Sequence, residues 1–155
     1  MKRVLLGLLL LPGLSRGAGV VGTGTPGSCT ESALGAALAG GGVVTFSCGG
    51  GPVTIPVSAT KTISAATPTD VDGGGLVTLD GQDAVRIFSV DYQRQLALRN
   101  LTLRRGRATD FGAAVRSQYH ERGTAALTVV NVRFEGNVCT QPGDDVGGGA
   151  LYILG

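Results

Sequence analysis

Apolar residues alternate along 96–103 and again along 127–134, and in both stretches the alternation changes parity at an asparagine. Leu96 and Leu98 precede Asn100, and Leu101 and Leu103 follow it. The second copy, 31 residues on, has Leu127 and Val129 before Asn131, then Val132 and Phe134. Successive strand side chains point to opposite faces, so this slip would turn the second half of a straight strand outward. A corner at the asparagine removes the conflict, because both halves can then face one interior. Asn is among the few residues that tolerate the left-handed backbone such a corner demands. The pattern predicts a coil of short strands around a common core, with Asn100 and Asn131 stacked as an amide ladder. Its spacing is that of a solenoid repeat. The competing reading is two unrelated asparagines in β-turns.

Other short apolar runs, bounded by Gly, Asp and Asn, predict strands at 43–46, 53–57, 61–64, 76–79, 86–90, 112–116 and 150–154. One helix is predicted, over 29–39. Ser28 and Glu31 are placed as a capping box, Ala33, Leu34, Ala37 and Leu38 form one apolar stripe, and Gly40-Gly41-Gly42 ends it. A helix in this position is expected to cover the open end of the coil.

The chain opens with Met1-Lys2-Arg3, an apolar run from Val4 to Leu11 and small residues at Ser15, Gly17 and Gly19, which reads as a secretory signal peptide. The expected organisation is a signal peptide at 1–17, a flexible mature N-terminus at 18–27, the capping helix and first strand at 28–48, and rungs over 49–155. Cleavage after Gly17 or after Gly19 fits equally. The full chain carries 13 Lys+Arg and 11 Asp+Glu, net +2, but Lys2, Arg3 and Arg16 fall in the leader and leave a net of −1. The basic balance therefore belongs to export and implies no nucleic-acid partner. In an exported chain Cys29 and Cys48 are expected to pair, stapling helix to first strand and contributing ~3 kcal/mol. Cys139 is the odd one, and its partner is not legible. No transmembrane segment is expected once the leader is removed. Residues 147–155 look like the opening strand of one more rung, so the chain is expected to be the N-terminal piece of a longer protein. The 27 glycines follow no three-residue period, which argues against collagen and for many tight turns.

Two short signatures sharpen the fold. Gly148-Gly149-Ala150-Leu151 and Phe134-Glu135-Gly136-Asn137 match the Gly-Gly-Ala-aliphatic and Phe-x-x-Asn motifs of polymorphic outer-membrane protein repeats. Degraded copies stand at Gly112-Ala113-Ala114-Val115 and Leu103-Arg104-Arg105-Gly106. Over roughly residues 22–155 the chain resembles bacterial extracellular right-handed parallel β-helix proteins of the pectin-lyase-like superfamily. The resemblance implies an all-β solenoid with an N-terminal capping helix. It leaves function open, since the architecture hosts lyases, hydrolases, adhesins and surface stalks.

Several motif matches fail on context. Gly22, Gly24 and Gly27 have dinucleotide-fingerprint spacing but neither a preceding buried strand nor the acidic partner. The Gly-x-Ser-x-Gly pattern at 13–17 lies in the leader. Residues 73–80 lack the Asp of a calcium-binding nonapeptide, and the sequon Asn100-Leu101-Thr102 places its Asn at a buried corner. Asp70 and Asp72 would share a face, and Asp80, Asp83 and Asp144-Asp145 sit in turns. Nothing in their spacing implies the convergence that calcium or an acid/base pair requires. His120, the single histidine, has no triad or metal companion. Arg94, Arg99, Arg104, Arg105 and Arg107 cluster in one rung. Of these, Arg104, Arg105 and Arg107 are candidate contacts for an acidic polysaccharide, although solvation explains them too. The expected function is non-catalytic: an exported repeat protein, secreted or on the outer cell surface, in adhesion or structure. It would need no cofactor or metal and would meet extracellular polysaccharide or a neighbouring cell. The alternative is the first part of a polysaccharide lyase or glycoside hydrolase acting on pectin-like material.

Overall fold

The computed structural model describes residues 19–120, 123–140 and 149–154. The leader at 1–17, Asp144-Asp145 and Gly148 lie outside them. Strands β1 (Gly19–Val21), β2 (Gly42–Phe46), β3 (Val53–Pro56) and β4 (Lys61–Ile63) come first, with helix α1 (Glu31–Leu38) between β1 and β2. The next elements are β5 (Thr69–Asp80), β6 (Phe88–Val90), β7 (Gln95–Arg104), β8 (Arg107–Ala108) and β9 (Val115–Ser117). After a short antiparallel pair, β10 (Tyr119–His120) and β11 (Gly123–Thr124), come β12 (Ala126–Glu135), β13 (Val138–Cys139) and β14 (Leu151–Tyr152).

Sheet neighbours are successive turns of one coil. β1, β2, β5, β7 and β12 lie side by side and parallel, and β3 joins along the second half of β5. A second parallel sheet runs β4, β6, β9, β14, and β8 pairs with β13. Thr69 faces Leu96 and Leu96 faces Leu127, steps of 27 and 31 residues. The chain is thus a mostly β, parallel β-solenoid of about four turns.

The parity slip does what the coil requires. Asn100 and Asn131 have φ of 50° and 52°, and Leu96, Leu98, Leu101 and Leu103 on either side of the first corner are all buried. They meet Ile55, Ile63, Val71, Leu79, Phe88 and Val115 in one continuous core. Burying such side chains contributes about 2 kcal/mol each relative to exposure.

The N-terminal part differs from the sequence reading in two places. The segment 18–27, expected to be flexible, carries β1 and the start of a 3-10 turn over Pro26–Ser28; β1 pairs with β2 and buries Val21 completely. The helix begins at Glu31 rather than Cys29, and Thr30 is its N-cap, accepting from Ala33 N at 3.1 Å. Ser28 is used otherwise: its hydroxyl accepts from Thr23 N and donates to Thr25 O. Cys29 is held out of the helix by its disulfide to Cys48, with Cα atoms 5.6 Å apart. Leu34 and Leu38 are buried where α1 packs against β1 and β2.

Freed from capping, Glu31 ties the helix to the first turn. Its carboxylate accepts from Ser58 N (3.0 Å), Ser58 Oγ (2.6 Å), Ala59 N (3.1 Å) and Lys61 Nζ (2.5 Å). Burial alone would raise its pKa, but these contacts, Lys61 foremost, outweigh it and lower the value from 4.5 to about 2. A carboxyl depressed in the folded state stabilises above its unfolded value, and that increment is lost as pH falls through the folded one. Glu31→Gln is expected to cost ~2 kcal/mol at pH 7. Urea midpoints should converge between wild type and variant as pH drops from 4.5 toward 2.

Candidate binding surface

The corner asparagines form a ladder with a third member the sequence did not reveal. Asn131 Nδ2 donates to Asn100 Oδ1 at 2.9 Å, and Asn100 Nδ2 donates to Asp72 Oδ1 at 3.0 Å. Asp72 also accepts from Gly74 N at 2.9 Å. The Gly74 amide first, and Asn100 after it, hold the Asp72 carboxyl below its ordinary value. In β5 the corner is longer: Gly73 to Leu76 intervene between Asp72 and Val77, where β7 has Asn100 alone. A Cβ on Gly73 would come 2.6 Å from Leu101 Cβ, so the close approach of the next turn requires glycine there. Outside this corner runs an open groove of about 600 Å3 lined by Gly75, Asn100, Thr102, Asn131 and Arg133.

The outer charges are paired across turns. Arg99 Nε lies 3.1 Å from both oxygens of Asp70. Asp80, whose side chain is only 3 % exposed, accepts from Arg104 Nε (2.9 Å), Arg105 Nε (2.9 Å), Arg105 Nη2 (2.5 Å) and Gln82 N (2.9 Å). Burial raises the Asp80 pKa, yet Arg105, Gln82 N and Arg104 together hold it down at about 2. Asp110 is bound by Arg86 from the preceding turn and by Arg116 at 2.5 Å. Arg86 also donates to the carbonyls of Gly112 and Phe111. The signal for these pairs was in the sequence: each acid lies 24 to 29 residues, about one turn, from an arginine.

The three arginines expected to meet glycan therefore separate. Arg104 and Arg105 are engaged by Asp80. Arg107 at the start of β8 is exposed, in another groove of about 430 Å3 with Thr60, Arg86, Thr109 and Asp110. The Phe-x-x-Asn residues serve the coil. Phe134 packs half-buried against the core, and Asn137 accepts from Gly106 N (2.8 Å) and donates to Leu103 O (3.0 Å) in the turn before. Gly149 O accepts from Ala113 N at 2.9 Å, and Cys139 Sγ lies 3.4 Å from the same carbonyl. Among the described residues no group of three His, Cys, Asp or Glu gathers into a metal site. No protein-family model, curated protein or solved structure matches the chain.

Asp80→Ala should cost ~2 kcal/mol, since Arg104 and Arg105 lose their close partner, with only Asp83 left 3.9 Å from Arg105, and Gln82 N loses its acceptor, while Asp80→Asn should cost less by keeping that acceptor. Asn100→Ala should be worse than Asn100→Gly by ~1 kcal/mol, because glycine accepts positive φ and alanine does not. Denaturant titrations of the four variants would check both orders.

Proposed function

We propose that the chain is an exported, non-catalytic repeat protein, a right-handed β-helix of pectin-lyase-like kind whose α1 caps the coil. Its role is adhesive or structural at an extracellular or outer cell surface. The pairing of outer carboxylates with arginines, mostly from the adjoining turn, carries this reading. A carboxyl held near 2, as Asp80 is, stays ionised at neutral pH and is a poor proton donor for glycoside cleavage. Guanidinium groups also occupy the oxygens that a calcium ion would need. The Cys29–Cys48 bond fits an oxidising compartment. Burial of Leu34 and Leu38 beside β1, the terminal strand of its sheet, supports the capping role.

Of the arginine trio, Arg107 is the exposed one that Asp80 does not engage, which leaves it to meet an acidic polysaccharide. The purified chain, mixed with polygalacturonate and calcium, is expected to release no unsaturated product by ultraviolet absorbance. It should be retained on immobilised polygalacturonate, and Arg107→Ser should lose retention with an unchanged melting temperature. Calcium-dependent product release would overturn the non-catalytic reading, and retention indifferent to Arg107 would overturn its place in binding.

A further inference from the structure

The two sulfurs of the Cys29–Cys48 bond are enclosed, and most of what encloses them belongs to one segment of chain. Cys29 is 6 % exposed and Cys48 5 %. The Val21 carbonyl oxygen lies 3.3 Å from Cys29 Sγ and 3.9 Å from Cys48 Sγ. Gly22, with φ of 89°, follows directly over the bond. A Cβ there would come 2.6 Å from Ser47 O and closer still to Cys29 Sγ, so only glycine fits. The loop is then fastened across the site. Gly24 N donates to Ser47 O at 2.7 Å, and Ser47 N donates to Val21 O at 2.8 Å. Ser28 Oγ holds the loop shut from within, accepting from Thr23 N (2.8 Å) and donating to Thr25 O (2.6 Å). Reduction begins with a thiolate reaching one of the two sulfurs, and in this arrangement neither is within reach.

The same segment is attached to the coil on one side only. Among the described residues β1 is terminal in its sheet and pairs with β2 alone, whereas β7 lies between β5 and β12. Leu34 and Leu38 are buried beneath α1, and the Glu31 carboxylate reaches Ser58, Ala59 and Lys61. Lifting β1, the 22–30 loop and α1 together breaks one interface, where lifting an inner turn breaks two. Such a segment opens before the rest of a stacked coil unfolds. Cys48, just past β2, would stay behind on the coil.

We infer that the Cys29–Cys48 bond is a shielded latch, reduced only when β1, the 22–30 loop and α1 lift from the coil, short of global unfolding. The protection is mutual: the bond holds the segment down, and the segment keeps thiols from the bond. In the open form a thiolate attacks one sulfur and the S–S bond breaks. A second thiol of the reductant then completes the exchange, leaving Cys29 and Cys48 as thiols and the reductant as its own disulfide. The reduced segment closes again with one fastening fewer and opens more often.

Dithiothreitol reduction of the purified chain tests this, at concentrations where the rate rises linearly with reductant, followed as alkylation of Cys29 and Cys48 by peptide mass. Glu31→Gln removes contacts that opening also breaks, so its bond should be reduced about thirtyfold faster than wild type. Leu38→Ala changes no charge and should be reduced at least tenfold faster. Asp80→Ala weakens the fold outside the segment, and its bond should be reduced at the wild-type rate. Equal rates in all four chains would mean attack on the closed form and would overturn the inference. Acceleration by Asp80→Ala equal to that by Glu31→Gln would place the reaction in the globally unfolded chain, and overturn it too. So would acceleration by Glu31→Gln without any by Leu38→Ala, the mark of a charge effect on the incoming thiolate.

Discussion

A left-handed backbone at Asn100 and Asn131 is the constraint on which the coil depends. With φ near 50° the chain turns at one residue, and the strand halves before and after it both face inward. If either corner straightened, Leu101 and Leu103, or Val132 and Phe134, would rotate to solvent, at about 2 kcal/mol per side chain. The amide hydrogen bonds between the corners are worth less than that individually. Their importance is in holding the corners in vertical alignment, since a one-residue slip between turns would break ladder and core together.

Electrostatics supplies a second, outer fastening. Asp70, Asp80 and Asp110 each meet an arginine from the neighbouring turn, and Glu31 joins α1 to the segment leading into β4. These contacts are not equivalent. Arg99 and Asp70 are both more than a third exposed and so are screened by water and salt, whereas Asp80 is almost fully enclosed. Removing Asp80 therefore takes the partner from Arg104 and leaves Arg105 only Asp83 at 3.9 Å, while removing Asp70 merely frees one charge at the surface. Lateral fastening of this kind suits a fold whose turns touch only their neighbours.

The coil was legible because its signal is a violation of strand periodicity, and a violation repeated at 31 residues has few physical explanations. The disulfide was legible from position, Cys29 just before the helix and Cys48 just after the strand that follows it. The helix start was not, because Ser28 and Thr30 both offer a capping hydroxyl. The choice was made by the disulfide holding Cys29 outside the helix and by Ser58, Ala59 and Lys61 claiming Glu31. The first half of β5 was missed as well. Thr69 and Val71 are buried, but Asp70 and Asp72 alternate with them and suppress any apolar run, and Gly73-Gly74-Gly75 separates them from the apolar half of the strand. The pairing of Arg104 and Arg105 with Asp80 was overlooked because clustering along the sequence says nothing of the acid one turn earlier.

That last failure reflects a property of stacked repeats. A turn is specified by the turn next to it, so equivalent positions need to be complementary rather than identical. Gly106 and Asn137 occupy the same place in successive turns, and comparison as repeats makes Gly106 a degraded motif. In the structure it is a requirement. A Cβ on Gly106 would lie 2.7 Å from the Asn137 side-chain oxygen and 2.3 Å from Ala113 O, so only glycine leaves room for the amide above it. The apparent decay of the repeat toward the N-terminus is therefore partly fit: an asparagine that reaches down into the preceding turn needs a small residue beneath it, and two asparagines there would collide.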